Sequence, residues 1–189
     1  MKNGARKRMI IIGEIFSLLA ALTLAYSTFS NKKNKMIWWQ AINTIFYGLS
    51  NLFLGCYSAA VINILALSRN ALVVKNKLDK KFTIIICILI IIVGVYFNNR
   101  AWLGLLPIIF SIQYTICVYA IKSAQHMRIA LVINLLLGMI FDFLIKAYPM
   151  FALDIIIIIF TLINYFRFKK CDGEIDFKQN NKVDNIKMN

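Results

Sequence analysis

Acidic residues are scarce in this 189-residue chain: eight Asp and Glu stand against 22 Lys and Arg, for a net charge of +14. There is one histidine, and there are four cysteines. Each shortage excludes a kind of chemistry. Cys56, Cys87, Cys117 and Cys171 are widely spaced, with no CxxC and no Cys/His cluster, so neither a disulfide framework nor a metal site is indicated. His126 lies in a short polar stretch near Arg128, the position of an exposed side chain rather than a ligand. No Ser/His/Asp arrangement, no acids at hydrolase spacing and no phosphate-cradling glycine loop occur, so no catalytic residue and no cofactor are assigned and the chain does not read as an enzyme. The positive charge does not signal nucleic acid. Lys and Arg fall between apolar runs or in the tails, whereas nucleic-acid recognition needs a basic face on a folded surface.

What the chain has in abundance is apolar surface: 60% of residues are hydrophobic and mean hydropathy is +0.71. That is more than one water-soluble core can hide. Apolar runs of the ~20 residues needed to cross a bilayer are expected at Met9 to Phe29, Met36 to Gly55, Tyr57 to Val74, Phe82 to Phe97, Trp102 to Ile121, from the end of a basic loop at Lys122 to Arg128 as far as Lys146, and Tyr148 to Phe168. The first run follows a basic segment but is long and lacks a small-residue cleavage site, so it reads as a retained helix. Trp38, Trp39 and Trp102 suit the headgroup level, and the loops on the side of Lys75 to Lys81 hold most of the positive charge, which places the C-terminus in the cytoplasm and the N-terminus outside. The basic tail at Lys2, Arg6, Lys7 and Arg8 opposes that assignment.

Polar residues return at a fixed offset. Asn43 falls on Asn134, Asn51 on Asp142, Tyr57 on Tyr148 and Asn63 on Asp154, each 91 positions later, which reads as an internal duplication. Ser17 and Ser111 correspond once three residues of difference in the first loop are allowed. A three-helix unit repeated directly emerges upside down unless one more helix restores its direction, and the fourth run supplies that helix. The expected fold is an all-α membrane protein of seven transmembrane helices: two parallel three-helix repeats plus a linker helix, a 3+1+3 order. The divisions are a basic tail over residues 1–8, repeat 1 over 9–74, a basic loop and linker helix over 75–97, repeat 2 over 98–168, and a polar tail over 169–189 expected to be without order.

Polar groups inside a bilayer are costly, on the order of 2.5 to 3.5 kcal/mol for a central Asp, so their positions carry information. Asn63 and Asn70, like Asp154 and Thr161, are seven apart and so lie within about 20° on one helical face. The two stripes are candidates to face one another across a cavity. Asn63 and Asp154 read equally well as contacts to a solute and as interhelical hydrogen bonds worth about 0.6 kcal/mol each; for Asn43 and Asn134 the structural reading is favoured. Asp142 and Lys146 have the spacing of a pair on one helical face. Arg69 and Glu14 are expected to snorkel to the membrane surface. Tyr26, Tyr47 and Tyr114 fit an aromatic lining or core packing alike.

The segments Gly13-Glu14-Ile15, Ser30 to Lys35 followed by Gln40-Ala41-Ile42-Asn43, Leu54-Gly55-Cys56-Tyr57, Asn63 with Arg69-Asn70, and Trp102 to Pro107 together resemble the YgjV family of bacterial inner-membrane proteins over about Ile10 to Phe168. The 3+1+3 layout is more distantly similar to the MtN3/PQ-loop group, which includes sugar-transporting SWEETs and vitamin-precursor transporters of the PnuC type. That resemblance implies a small-molecule facilitator with its site between two three-helix bundles. The chain departs from it where the Pro-Gln dipeptide would end each first helix, having Ser27-Thr28 and Ala120-Ile121 instead. The expected function is alternating-access movement of a small polar solute across the inner membrane, passive or proton-coupled, with Asp154 as the coupling residue if protons take part. The alternative is a non-transporting interaction or scaffold protein. Membrane lipids, a small polar solute and a second copy of the chain are the candidate partners.

Overall fold

The computed structural model describes the backbone of residues 2–99 and 101–187 and the side chains of 7–99 and 101–168. It consists of α1 (Lys2–Thr28), α2 (Lys33–Phe53), α3 (Tyr57–Val74), α4 (Lys80–Tyr96), a 3₁₀ turn (Ala101–Leu105), α5 (Leu106–Ala120), α6 (Ala124–Leu144) and α7 (Tyr148–Lys187), with no strand among the described residues. Five helical segments, Lys7–Thr28, Tyr57–Val74, Ala101–Ala120, Ala124–Leu144 and Tyr148–Phe168, are long and apolar enough to cross a membrane. The polar tail from 169 lies outside the described side chains, although the bounds of α7 run on to Lys187.

Local chemistry sets the helix ends. The Asp79 carboxylate accepts from Phe82 N at 2.8 Å and Ser123 Oγ from Gln125 N at 3.2 Å, satisfying first-turn donors of α4 and α6. Pro107 stands in the first turn of α5, where its missing N–H costs nothing. The turns α2–α3 and α6–α7 are built alike. Gly55 and Lys146 both take the left-handed conformation, at φ 72° and 62°. The N–H of Cys56 bonds to Asn51 O at 2.8 Å, and that of Ala147 to Asp142 O at 2.8 Å, the long closing bond of a Schellman cap. All the matching positions are 91 apart, as are the ends of α2 and α6 and the starts of α3 and α7.

α1 packs on α2 and α7, and α5 packs on α6 and α3; α2 packs on α3, α6 on α7, and α2 touches α6. Exchanging α1 with α5, α2 with α6 and α3 with α7 leaves these neighbours unchanged. α4 lies apart from that set, against α3 and α5. Its buried Ile86 and Ile90 meet Ile62 and Ile108, while Ile84, Ile85, Ile88, Ile91 and Ile92 are exposed. A Cβ on Gly94 of α4 would come within 2.6 Å of Ile108 Cγ1, so the glycine is what lets the helix dock closely. A second apolar cluster, including Met36, Ile37, Val118, Met127 and Leu131, fills the bundle at the end that carries the basic loops. Exposed apolar faces are at home in lipid, so close packing and polar contacts, more than hydrophobic burial, hold such helices together.

Three local expectations are corrected. The basic loop placed at Lys122 to Arg128 is only the segment 121–123, because Ser123 starts α6 early. Arg69 does not snorkel: it is 4% exposed, inside the bundle. Asp142 does not pair with Lys146. α6 ends at Leu144 and Lys146 turns left-handed, so the two side chains do not share a helical face, and Asp142 is buried while Lys146 is exposed.

A polar cavity between the helices

A cavity of about 120 Å³ lies inside the bundle, lined by residues of α1, α2, α3, α5, α6 and α7 and by none of α4. It is large enough for several waters. Ser17, Gln40, Asn43, Thr44, Ser111 and Asn134 are among its polar walls, with Ala20, Leu24, Phe110, Leu135 and Ile157 among the apolar ones.

In the half nearer the basic loops the dominant group is Arg69. Its Nε and Nη2 donate to Asn70 Oδ1 at 3.0 and 2.9 Å, and its Nη1 donates to Thr115 Oγ1 at 3.0 Å. The guanidinium lies 5.1 Å from the centre of the Tyr114 ring, a cation–π distance. The Tyr114 hydroxyl donates to Gln40 Oε1 at 2.8 Å, and Asn70 Nδ2 to Thr44 Oγ1 at 3.4 Å. This network joins α2, α3 and α5. Gln40 Nε2 is buried and meets no acceptor.

The opposite half is acidic. Asp154 lines the cavity, and the Asp142 and Asp154 side chains lie within hydrogen-bonding reach of one another. Neither Asp142 oxygen meets a donor. Two ionised carboxylates have only acceptors to offer, so their contact forms a hydrogen bond only when a proton lies between them. Tyr47 is close enough to feel the charge of both. Asn63 uses its Nδ2 on Ala59 O at 2.9 Å, which leaves Oδ1 as an acceptor. Gly48 lets α3 approach closely, since a Cβ there would lie 3.3 Å from Asn63 Cβ; Gly138 faces Asp154, where a Cβ would sit in ordinary contact at 3.6 Å from Oδ2.

Of the six candidate residues, Asn43, Asn63, Asn70, Asn134 and Asp154 line this cavity and Thr161 does not. The Thr161 hydroxyl turns back on Ile157 O at 2.7 Å within its own helix and is fully buried. Asn43 and Asn134 also tie helices together, donating to Ala20 O and Phe110 O at 2.8 Å each, so the interhelical and the lining role coincide. Tyr47 and Tyr114 line the cavity, but Tyr26 is exposed. Arg69, as a lining cation, is the group that sequence reasoning misplaced; its signal was a charge well inside an apolar run, followed by an amide.

Two cations clasp helix ends at the side of the basic loops. Arg128 of α6 donates from Nε to Thr28 O at 3.2 Å and from Nη2 to Ser30 O at 2.9 Å, with Phe168 against its guanidinium at 4.5 Å. Lys33 of α2 donates to Val118 O and Ile121 O at 2.6 Å each. Each thereby satisfies carbonyls at the end of α1 or α5 that have no partner within the helix. Asn164 Nδ2 adds a bond to Thr28 Oγ1 at 2.9 Å.

A family model described as a bacterial inner membrane protein, Imp-YgjV, matches residues 11–172. The chain belongs to that family. No curated protein and no solved structure matches it.

Proposed function

We propose that this member of the Imp-YgjV family moves a small polar solute across the membrane by alternating access between two parallel three-helix units, α1–α3 and α5–α7, with α4 as the linker. The observation that carries the reading is a polar cavity lined from all six helices of the two units and from none of the linker. Polar walls inside a membrane bundle are costly and mark solute paths by default. The repeated turn at Gly55 and Lys146 and the neighbour pattern that survives exchange of the units support a two-fold relation about an axis along the membrane normal. That relation is what lets one unit rock against the other.

In this reading the structure represents a state closed toward the basic loops. The Met36, Ile37 and Val118 cluster fills that end, and the Lys33 and Arg128 clasps join one unit to the other across it. That end faces the cytoplasm, in keeping with the excess of Lys and Arg there, and the N-terminus lies outside. The Asp142–Asp154 contact gives the cavity a group that can hold or release a proton as the solute passes.

One feature favours the non-transporting alternative. Ser27 and Thr28 stand where the SWEET-like pattern has a Pro-Gln hinge, and both are fully buried, with Thr28 held by Arg128 and Asn164. Reconstitution decides between the two. Proteoliposomes of the full chain should accumulate a labelled solute from a screen of amino acids, sugars and nucleosides at a rate above that of empty liposomes, and a scaffold protein should accumulate none.

A further inference from the structure

The cavity is charged oppositely at its two ends, and both ends hold polar atoms that the fold leaves uncommitted. Arg69, 4% exposed, uses three of its donor contacts on Asn70 and Thr115, and a guanidinium offers five N–H groups. Linked to it through Tyr114, Gln40, 3% exposed, has a buried Nε2 with no acceptor. An unpaired buried donor costs on the order of 1 to 3 kcal/mol, and here it belongs to the network that holds a cation. Together they form a receptor for an anion. At the other end Asp154 and the Oδ1 of Asn63 are acceptors, with Asp142 behind Asp154.

We infer that the solute is a small zwitterion of the α-amino-acid type, held with its carboxylate toward Arg69 and Gln40 and its ammonium toward Asp154 and Asn63. This rests on the transport reading above and narrows it to a substrate class. Arg69 is six residues beyond Asn63 on α3, a rise of about 9 Å. An axial separation of that order leaves room between the two ends for an ammonium-to-carboxylate unit with a charge-assisted hydrogen bond of ~2.8 Å at each end. Charge balance points the same way. With one proton between the two acids their single negative charge offsets Arg69, so the empty site is neutral, and a zwitterion adds no net charge to the membrane interior. A bare anion or cation would. The volume of about 120 Å³ suits a small side chain such as that of glycine, alanine or serine. Neutral polyols can hydrogen-bond at both ends but bring no charge to match either, so the stronger charge-assisted contacts are lost.

The test is competition for labelled alanine uptake into proteoliposomes of the full chain, using glycine, propionate, alaninamide and glucose. Glycine should compete about as well as alanine, propionate and alaninamide at least tenfold less well, and glucose not at all. Asp154→Asn should erase the disadvantage of propionate, and Arg69→Gln that of alaninamide. Alanine should also raise the melting temperature of the wild-type protein, a readout that needs no variant to fold. Uptake of glucose in place of alanine, or equal competition by propionate, overturns the zwitterion and leaves transport standing. An unchanged ranking of competitors in both folded variants overturns the assignment of the two ends. If no solute moves and water-soluble thiol reagents fail to reach Asn63→Cys, the transport reading falls together with the inference.

Discussion

Gly55 and Lys146 stand 91 positions apart in the same left-handed conformation, closing the same turn with the same bonds between the second and third helix of their units. Glycine takes that conformation freely, but a side chain there costs roughly 1 to 2 kcal/mol. The second turn therefore adopts the same conformation without the residue that makes it easy. Lys146→Gly should stabilise the protein by about 0.5 to 1 kcal/mol, and Gly55→Ala should destabilise it by about the same or more. Melting in detergent checks both, with opposite shifts in Tm expected.

Asp142 is fully enclosed, has Asp154 as its neighbour and meets no donor. Its counterpart 91 positions earlier is Asn51. Asp142→Asn gives Asp154 a donor that needs no bound proton and should hold or raise stability by about 1 kcal/mol. Asp142→Leu removes the partner of Asp154 and should lower it. In the transport reading, uptake by Asp154→Asn should lose its dependence on pH. Uptake matching wild type at every pH would exclude Asp154 as the coupling group.

The Arg69 network binds α3 to α5 through Thr115 and sits over Tyr114. Lysine can neither bridge Asn70 and Thr115 in that fork nor stack as a plane. Arg69→Lys should therefore destabilise the fold by about 1 to 3 kcal/mol, despite keeping the charge. Thr115→Val should cost less, because Arg69 keeps both bonds to Asn70. Paired Tm measurements should give that order.

Lys33 closes the end of α5 and Arg128 the end of α1. Lys33→Met keeps the apolar stem and removes the clasp, which should favour the state open toward the basic loops. A cysteine at position 44, in a chain without other cysteines, should then react faster with a membrane-impermeant thiol reagent applied from that side. Equal rates with and without Lys33 would show that the clasp does not gate access.

All seven helices were legible as apolar runs, because a bilayer imposes length and hydropathy on each segment by itself. Five are long and apolar enough to cross a membrane, and α2 and α4, expected to span as well, are not among them. The short turns at Gly55 and Ala147 followed from the same signal. Long-range polar pairing was not legible. Hydropathy sends Arg69 and Arg128 toward the membrane surface, yet both are buried because their partners, Thr115 for one and Thr28 and Ser30 for the other, arrive from distant parts of the chain. The spacing of Asp142 and Lys146 misled because the helix stops between them. The stripe from Asn63 to Asn70 was readable as one face and lines the cavity. The matching stripe on α7 reaches the cavity at Asp154 but not at Thr161, which is fully buried with its hydroxyl on Ile157 O.

If the cavity is a wet path that opens to each face of the membrane in turn, a water-soluble reagent must reach its wall from both sides. In a chain freed of its native cysteines, Asn63→Cys on the cavity wall and Ile64→Cys on the exposed apolar face are treated with a membrane-impermeant thiol reagent from each side separately. The variant at 63 should react from both sides and be protected by the transported solute, while the variant at 64 should stay unreactive. Equal protection of the two positions, from either side and with any solute, would contradict it.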